Sequence, residues 1–469
     1  MSDAHDSAAE GDETHVVTAF CRHRGEVLLL RRSDAVGTYQ GLWGGASGFA
    51  EGDPGEQVRV EISEETGLED DALSLVRSGR PVQFEDETLE ESREWVVHPY
   101  LFDVTVDDPE IELSDEHDEF EWVSPTAALE GVDPDIPVVP ELWTAYERVA
   151  PTVRSITADD DHGAAYLSIR ALEVLRDRAG LLVAEREESE TTESPRNGDR
   201  GTRESSVDSD GEREELAELA SRLLEARPSM AVLRNRVNRV LAEALESDDE
   251  DADDIDAGAP AVLEAAHTGI ERALAADDDA AATASELIDG SVLTLSRSGT
   301  VFEALRQGEP SRVFVAESRP AREGVAVAEE LAADEGLECP VSVHTDAAVA
   351  HVLATESVDR VVVGADTIRA DGAVVNKTGT RAAAIAAARE GIPVTVVAAT
   401  DKVSTREELN LESGDRLAVY DGDAAIDVLN PTFDVTPADC VSAFATERGA
   451  LEADEINSIV EELRGLEES

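Results

Sequence analysis

The chain has 469 residues, with 105 acidic against 39 basic side chains, a formal net charge of -66 and 41% hydrophobic residues. That length holds about two to four domains with real cores. The charge argues against nucleic-acid phosphate as a main partner, because each phosphate contact needs a cation, but leaves room for a local basic pocket. Three cysteines lie far apart at Cys21, Cys339 and Cys440, which excludes a disulfide framework and a cysteine metal cluster.

Residues 1–14 are small and polar and read as a disordered tail. Apolar runs at 15–20 and 26–31 flank Arg22-His23-Arg24-Gly25 and read as a strand pair. Asp53-Pro54 is an N-cap followed by proline at the first helical position, and Gly67 is a helix stop. On that helix Glu61, Glu64 and Glu65 share one face at i, i+3 and i+4. Three carboxylates side by side are neutralised either by water or by a hard cation such as Mg2+ or Mn2+.

From 142 to about 184 the apolar spacing is helical. Residues 185–213 are rich in Glu, Ser, Thr, Arg and Gly without apolar periodicity, and read as a flexible linker inside a helical subdomain. The helix pattern resumes at 214, restarts after Arg227-Pro228-Ser229, passes an acidic loop at 246–258 and returns over 259–276. From about 284 apolar runs at 292–295, 312–315, 341–343, 361–363 and 394–398 alternate with helical stretches, the pattern of a parallel α/β sheet.

Ligands of such sheets bind at the carboxyl ends of the strands. Ser296-Arg297-Ser298 ends the first run, Glu317-Ser318-Arg319 the second and Asp366 the fourth. After a further apolar pair comes Asn376-Lys377-Thr378-Gly379-Thr380, then an Ala-rich helix whose start is expected to receive an anion. Lysine occurs only at 377 and 402 in the whole chain. Arginine replaces it elsewhere, so a compact ammonium at Lys377 points to a phosphorylated ligand.

The segment from Glu61 to Leu68, after Trp43-Gly44-Gly45, resembles the Nudix box of the Nudix hydrolases. The resemblance covers about residues 15–150. It implies an α/β/α sandwich in which Glu61, Glu64 and Glu65 bind Mg2+ or Mn2+ and Glu64 serves hydrolysis of nucleoside diphosphate derivatives. Val60 stands where that family carries arginine, and the loop before the helix is short, which implies a degenerate catalytic apparatus.

Residues from about 154 onward resemble the superfamily of translation initiation factor 2B alpha, beta and delta subunits, ribose-1,5-bisphosphate isomerase and methylthioribose-1-phosphate isomerase. The resemblance rests on His162-Gly163-Ala164-Ala165, Arg227-Pro228-Ser229, Ser296-Arg297-Ser298, Glu317-Ser318-Arg319-Pro320, Gly364-Ala365-Asp366 and Asn376-Lys377-Thr378-Gly379-Thr380. It implies a helical subdomain at 151–280 and a Rossmann-like domain at 281–469. It also implies a ligand pocket using Gly163, Arg227, Arg297, Ser298, Arg319, Asn376 and Lys377. The isomerases pair a cysteine with an aspartate; here the positions are Ser296 and Asp366. An alkyl hydroxyl is a far weaker acid than a thiol, whose pKa is about 8.5, so Ser296 favours a binding, regulatory module over an isomerase. A homo-oligomer through the C-terminal domain and a translation initiation factor partner follow by analogy. The acidity resembles that of haloarchaeal proteins, whose self-repulsion is screened at about molar salt. The absence of a leader or long apolar span places the expected protein in the cytoplasm, away from membrane.

Overall fold

In the computed structural model the described residues are 13–87, 92–129, 136–159, 162–192, 201–246, 258–334, 336–408 and 411–468. Most of the expected tail, residues 193–200 of the expected linker and residues 247–257 of the acidic stretch lie outside them. The chain is a mixed α/β protein that divides into two compact units, one of residues 1–152, 173–216 and 253–263, the other of 153–172, 217–252 and 264–469.

The first unit is built on an eight-stranded sheet. Its central strand, Thr14–His23, pairs in parallel with Arg93–Val104 and antiparallel with Glu26–Arg32 and Ala46–Phe49. Thr14, read as tail, is thus the first residue of that strand. Period-two alternation sends Val17, Ala19 and Cys21 to one face and Phe20 to the other. Helix Pro54–Thr66 covers the first face with Val58 and Ile62; helix Leu142–Glu147 covers the second with Leu142, Ala145 and Tyr146. The expected caps are in place. Asp53 accepts the backbone N–H groups of Gly55 and Glu56, and Gly67 closes the helix at φ 72°.

The flexible-linker expectation is corrected. Helix Ala164–Thr192 takes in residues 185–192, and helix Gly201–Ala226 takes in 201–213. Nor does the division fall at residue 150, because 173–216 belongs with the N-terminal sheet. The reason is ionic. Arg22, 2% exposed, reaches Glu173 at 3.1 Å and Asp103 at 2.7 Å. Arg176 donates to Gly25 O at 2.6 Å and to Asp177 at 2.9 Å, and Tyr146 Oη donates to Asp177 at 3.1 Å. Glu173 and Arg176 are i and i+3, so one helical face supplies both charges.

The second unit carries a seven-stranded sheet. Its strands run in the order Val341–His344, Arg312–Ala316, Ser291–Leu295, Arg360–Gly364, Val394–Val397, Ala443–Thr446 and Gly449–Leu451. All neighbours pair in parallel except the last two. The five expected apolar runs are the first five of these strands, and their Val and Leu side chains fill cores on both faces. Strand order reverses at Ser291–Leu295, whose neighbours are the next strand in sequence on one side and Arg360–Gly364 on the other. Such a reversal is where open α/β sheets place a ligand crevice, at the carboxyl ends of the two strands. Among the described residues no helix is long and apolar enough to cross a membrane.

Candidate functional site

Ser296 and Asp366 are the residues that leave the two strands flanking the crevice. Ser296 has φ 62° and Ser318, at the end of the adjacent strand, φ 58°. A left-handed conformation costs a non-glycine residue about 1–3 kcal/mol. Here it is held by hydrogen bonds: Ser296 N–H donates to Ser318 Oγ at 2.7 Å, and Asp346 accepts the N–H groups of Ser318 at 2.8 Å and Arg319 at 2.7 Å. Ser296 Oγ donates to Glu323 Oε2 at 2.5 Å, and Lys377 Nζ donates to Glu323 Oε1 at 2.9 Å. Glu323 opens helix Glu323–Ala333, which presses on the strand end: a Cβ on Gly324 would lie 1.9 Å from Ala316 O. Only glycine permits that approach.

Asp366 is half-buried. Burial pushes its carboxyl above the ordinary range; Lys402 and Lys377 pull the other way, and Glu412 and Glu323 add to the rise. Both lysines of the chain thus act on one carboxylate. Lys402 sits in a 3-10 turn, Thr400–Lys402, that helix Ala231–Glu246 clamps. Asn235 Nδ2 donates to Asp401 O and Val403 O at 2.7 Å each, while Arg236 and Arg239 reach the Asp401 carboxylate at 3.3 and 3.1 Å. The helix after Arg227-Pro228-Ser229 was legible in the sequence; the task of its Asn235, Arg236 and Arg239 in fixing the turn of Lys402 was not. Glu323 and Lys402 carried no signal of their own beyond the scarcity of lysine.

The remaining expected residues distribute as follows. Arg297 and Arg319 are exposed, each directly after a left-handed serine, and among the described residues neither has an ion-pair partner. Ser298 caps helix Gly299–Gly308 through Val301 N–H, and a Cβ on Gly364 would meet its Oγ at 2.9 Å. Asn376 is buried and donates to Thr380 Oγ1 at 3.0 Å. Gly163 stands in open space. Arg227 donates to Ile156 O at 3.0 Å and to Asp159 O, so it fastens the segment before Gly163. One expectation is overturned. The start of helix Thr380–Glu390 already holds an anion, Asp434, which accepts the N–H groups of Gly379 at 2.8 Å and Arg381 at 3.1 Å. The dipole is satisfied within the fold, and the positive charge left for a ligand is that of the side chains.

In the first unit the Nudix-box carboxylates line helix Pro54–Thr66. Glu61 is half-buried, accepts from Gln57 Nε2 at 2.6 Å and packs on Gly48, where a Cβ would fall 2.1 Å from its carboxyl. Burial raises its pKa. Glu65 is buried and accepts Ser47 N–H at 2.9 Å; burial still pushes it up to about 8, with Glu61 adding to the rise and Arg32 opposing. Glu64 is exposed. Among the described residues no three His, Cys, Asp or Glu groups are arranged around one metal position. The oxygen donors and the burial that disfavours their free anions nonetheless suit a hard cation. Arg59 faces away, paired with Asp70 and lying 5.2 Å over Phe102, while Val60 is 45% exposed. Beside Glu61 a cavity of about 620 Å3 is lined by Arg32, Tyr39, Phe84, Arg93, Trp95 and Glu116 among others.

Family comparison separates the chain into two matches along the sequence. A model described as the initiation factor 2 subunit family matches residues 160–453, and a NUDIX domain model matches 13–142. Methylthioribose-1-phosphate isomerases of Pseudomonas aeruginosa and Azotobacter vinelandii are 37% and 35% identical over 167 residues, which is 33% of this chain. The match spans only 45% of those relatives' length. A solved 5-methylthioribose 1-phosphate isomerase from Pyrococcus horikoshii OT3 superposes at TM-score 0.50 and 19% identity, covering 84% of this chain and 95% of that one; the likeness is one of fold. Translation initiation factor eIF-2B of the same organism reaches TM-score 0.48 and 25% identity over 64% of this chain and 94% of that one.

Proposed function

We propose, from the premise that this chain belongs to the initiation factor 2 subunit family, that its C-terminal module binds a phosphorylated sugar or nucleotide at the strand-end crevice and acts as a regulatory sensor. The carrying observation is that the only two lysines of a strongly acidic chain both act on Asp366. Lys377, Arg297 and Arg319 supply positive charge for the phosphate. Ser298 and Asn376 supply polar contacts, and Arg227 and Gly163 shape the approach. Ser296 and Asp366 face the sugar. The similarity to methylthioribose-1-phosphate isomerases supports a phosphosugar as ligand.

Calorimetric titration of ribose-1,5-bisphosphate, 5-methylthioribose 1-phosphate and nucleoside monophosphates in molar KCl tests this. Wild type is expected to bind one class, and Lys377→Ala to lose at least a hundredfold in affinity, about 2.7 kcal/mol. Equal binding by the variant, or none by wild type, removes the reading. Association with itself or with a translation initiation factor belongs to the same proposal. Size-exclusion and pull-down experiments in molar salt, matching the acidic composition, check it.

The cavity beside the Nudix box favours a second role for the N-terminal domain. Its aromatic side chains suit a base and its arginines a diphosphate, so nucleoside diphosphate derivatives are the candidate ligands. Glu61, Glu64 and Glu65 would hold Mg2+ or Mn2+, which when bound neutralises charge and activates water. Val60 leaves the first of these carboxylates without an adjacent guanidinium, which supports a weak hydrolase or a binding module. Metal-dependent phosphate release that disappears in Glu64→Gln supports hydrolysis; equal background in both leaves binding alone.

A further inference from the structure

Ser296 is a poor proton carrier by itself, yet it is not by itself in this fold. Its hydroxyl proton points to Glu323 Oε2 across 2.5 Å, the short range of a charge-assisted O–H···O bond. The opposite oxygen of the same carboxylate is held by Lys377 at 2.9 Å. The serine is kept in a left-handed conformation by Ser318 and Asp346, so its Oγ is aimed rather than free to rotate with the chain. Gly324 brings the carboxylate to the strand end. These are the parts of a nucleophile or proton carrier, its base, and a group orienting the base.

We propose that Glu323 is the proton acceptor behind Ser296, and that the pair adds to ligand sensing an aldose–ketose type isomerisation of the phosphosugar bound at this site, restoring through Glu323 the proton transfer that a lone serine lacks. The inference rests on the phosphosugar reading above. In the step assigned to the pair, an O–H bond of the sugar breaks and its proton forms a new O–H bond at Ser296 Oγ. The proton already on Ser296 passes to Glu323 Oε2. The electron pair stays on the sugar oxygen, ready to become the carbonyl π bond. Run backwards, the same path returns the proton when the product hydroxyl forms. Isomerisation is redox-neutral, so no co-reactant is needed. Glu323 acts through Ser296 and is a positioning and proton-holding residue; Asp366, across the crevice, is left for the hydrogen on carbon.

The test measures affinity by calorimetry and turnover by NMR, in molar KCl, on ribose-1,5-bisphosphate and 5-methylthioribose 1-phosphate. The proteins are wild type, Glu323→Gln, Glu323→Asp, Ser296→Cys and Ser296→Cys combined with Glu323→Gln. Wild type is expected to convert a ligand. Glu323→Gln should keep affinity within about threefold while kcat falls at least a hundredfold, the scale of a lost general base. Glu323→Asp should recover part of the rate. A thiol near pKa 8.5 moves its own proton, so the double variant should turn over faster than Glu323→Gln alone. Binding without turnover in wild type overturns the proposal and leaves the sensor reading standing. Equal kcat in Glu323→Gln overturns it, as does parallel loss of affinity and rate, which would make Glu323 only a holder of Lys377. No binding of either ligand by wild type overturns the phosphosugar reading itself.

Discussion

The two units bury carboxylates under opposite rules. Around Asp366 the chain spends both of its lysines, and two exposed arginines stand on the adjoining strand ends. Around Glu61, Glu64 and Glu65 the nearby charges are mostly further carboxylates, with Arg32 the opposing cation named at Glu65. The first site carries its own countercharge and has positive charge to spare, so it suits a ligand that arrives as an anion. The second is short of positive charge, so it suits a ligand that arrives as, or with, a cation. In a chain of net charge -66 this contrast is informative, because acidity is the background and local basicity is the exception.

A third buried carboxylate sets the scale for that contrast. Glu173 is 0% exposed and paired with the enclosed Arg22. Glu173→Ala removes one of the carboxylates that the enclosed Arg22 reaches. A cost of about 3–5 kcal/mol is expected, read as a lowered unfolding temperature of the N-terminal unit. A change below 1 kcal/mol would show that buried charges here need no partner, and would break the comparison.

His117 tests the rule from the cationic side. Burial, and then Arg32, hold its pKa down to about 4 from 6.5. Between those values the unfolded state binds more protons than the native one, so this stability is fully present above pH 6.5 and is lost as pH falls toward 4. Relative to wild type, His117→Asn should flatten that loss by about 3 kcal/mol by pH 4. Parallel pH curves for the two proteins would refute it.

Lys402→Met removes one of the two cations acting on Asp366. Phosphosugar affinity should fall about tenfold, 1.4 kcal/mol, less than for Lys377→Ala, because Lys402 is enclosed while Lys377 is a quarter exposed. Reversed ranking would move the phosphate to Lys402.

The smallest effect concerns Asp366 itself. Its folded pKa is raised, so the native state binds the proton more tightly than the unfolded chain. Its contribution to stability is therefore greatest at low pH and declines as pH rises through that window. Asp366→Asn should stabilise the protein at neutral pH, with the gain shrinking as pH falls to the ordinary aspartate range. A destabilised variant at neutral pH would mean that the lysines outweigh burial.

By itself the sequence determined whatever depends on neighbours within a few residues. Period-two and short apolar runs located the strands, Asp53-Pro54 and Gly67 bounded a helix, and the glutamate spacing put three carboxylates on one helical face. Scarce lysine singled out Lys377, which the fold brings to Glu323 and within reach of Asp366. The first half of the 201–226 helix was missed because its regular apolar spacing, Leu216, Ala220 and Leu223, begins only in its second half. Tertiary structure alone decided that Glu323 meets Ser296 across 27 positions and Lys377 across 54. It also decided that Asp434, 55 positions from Gly379, fills the helix start read as a ligand site. A hydrogen bond between distant side chains depends on how strands order in a sheet and which glycine lets a helix approach, and no local pattern encodes that order.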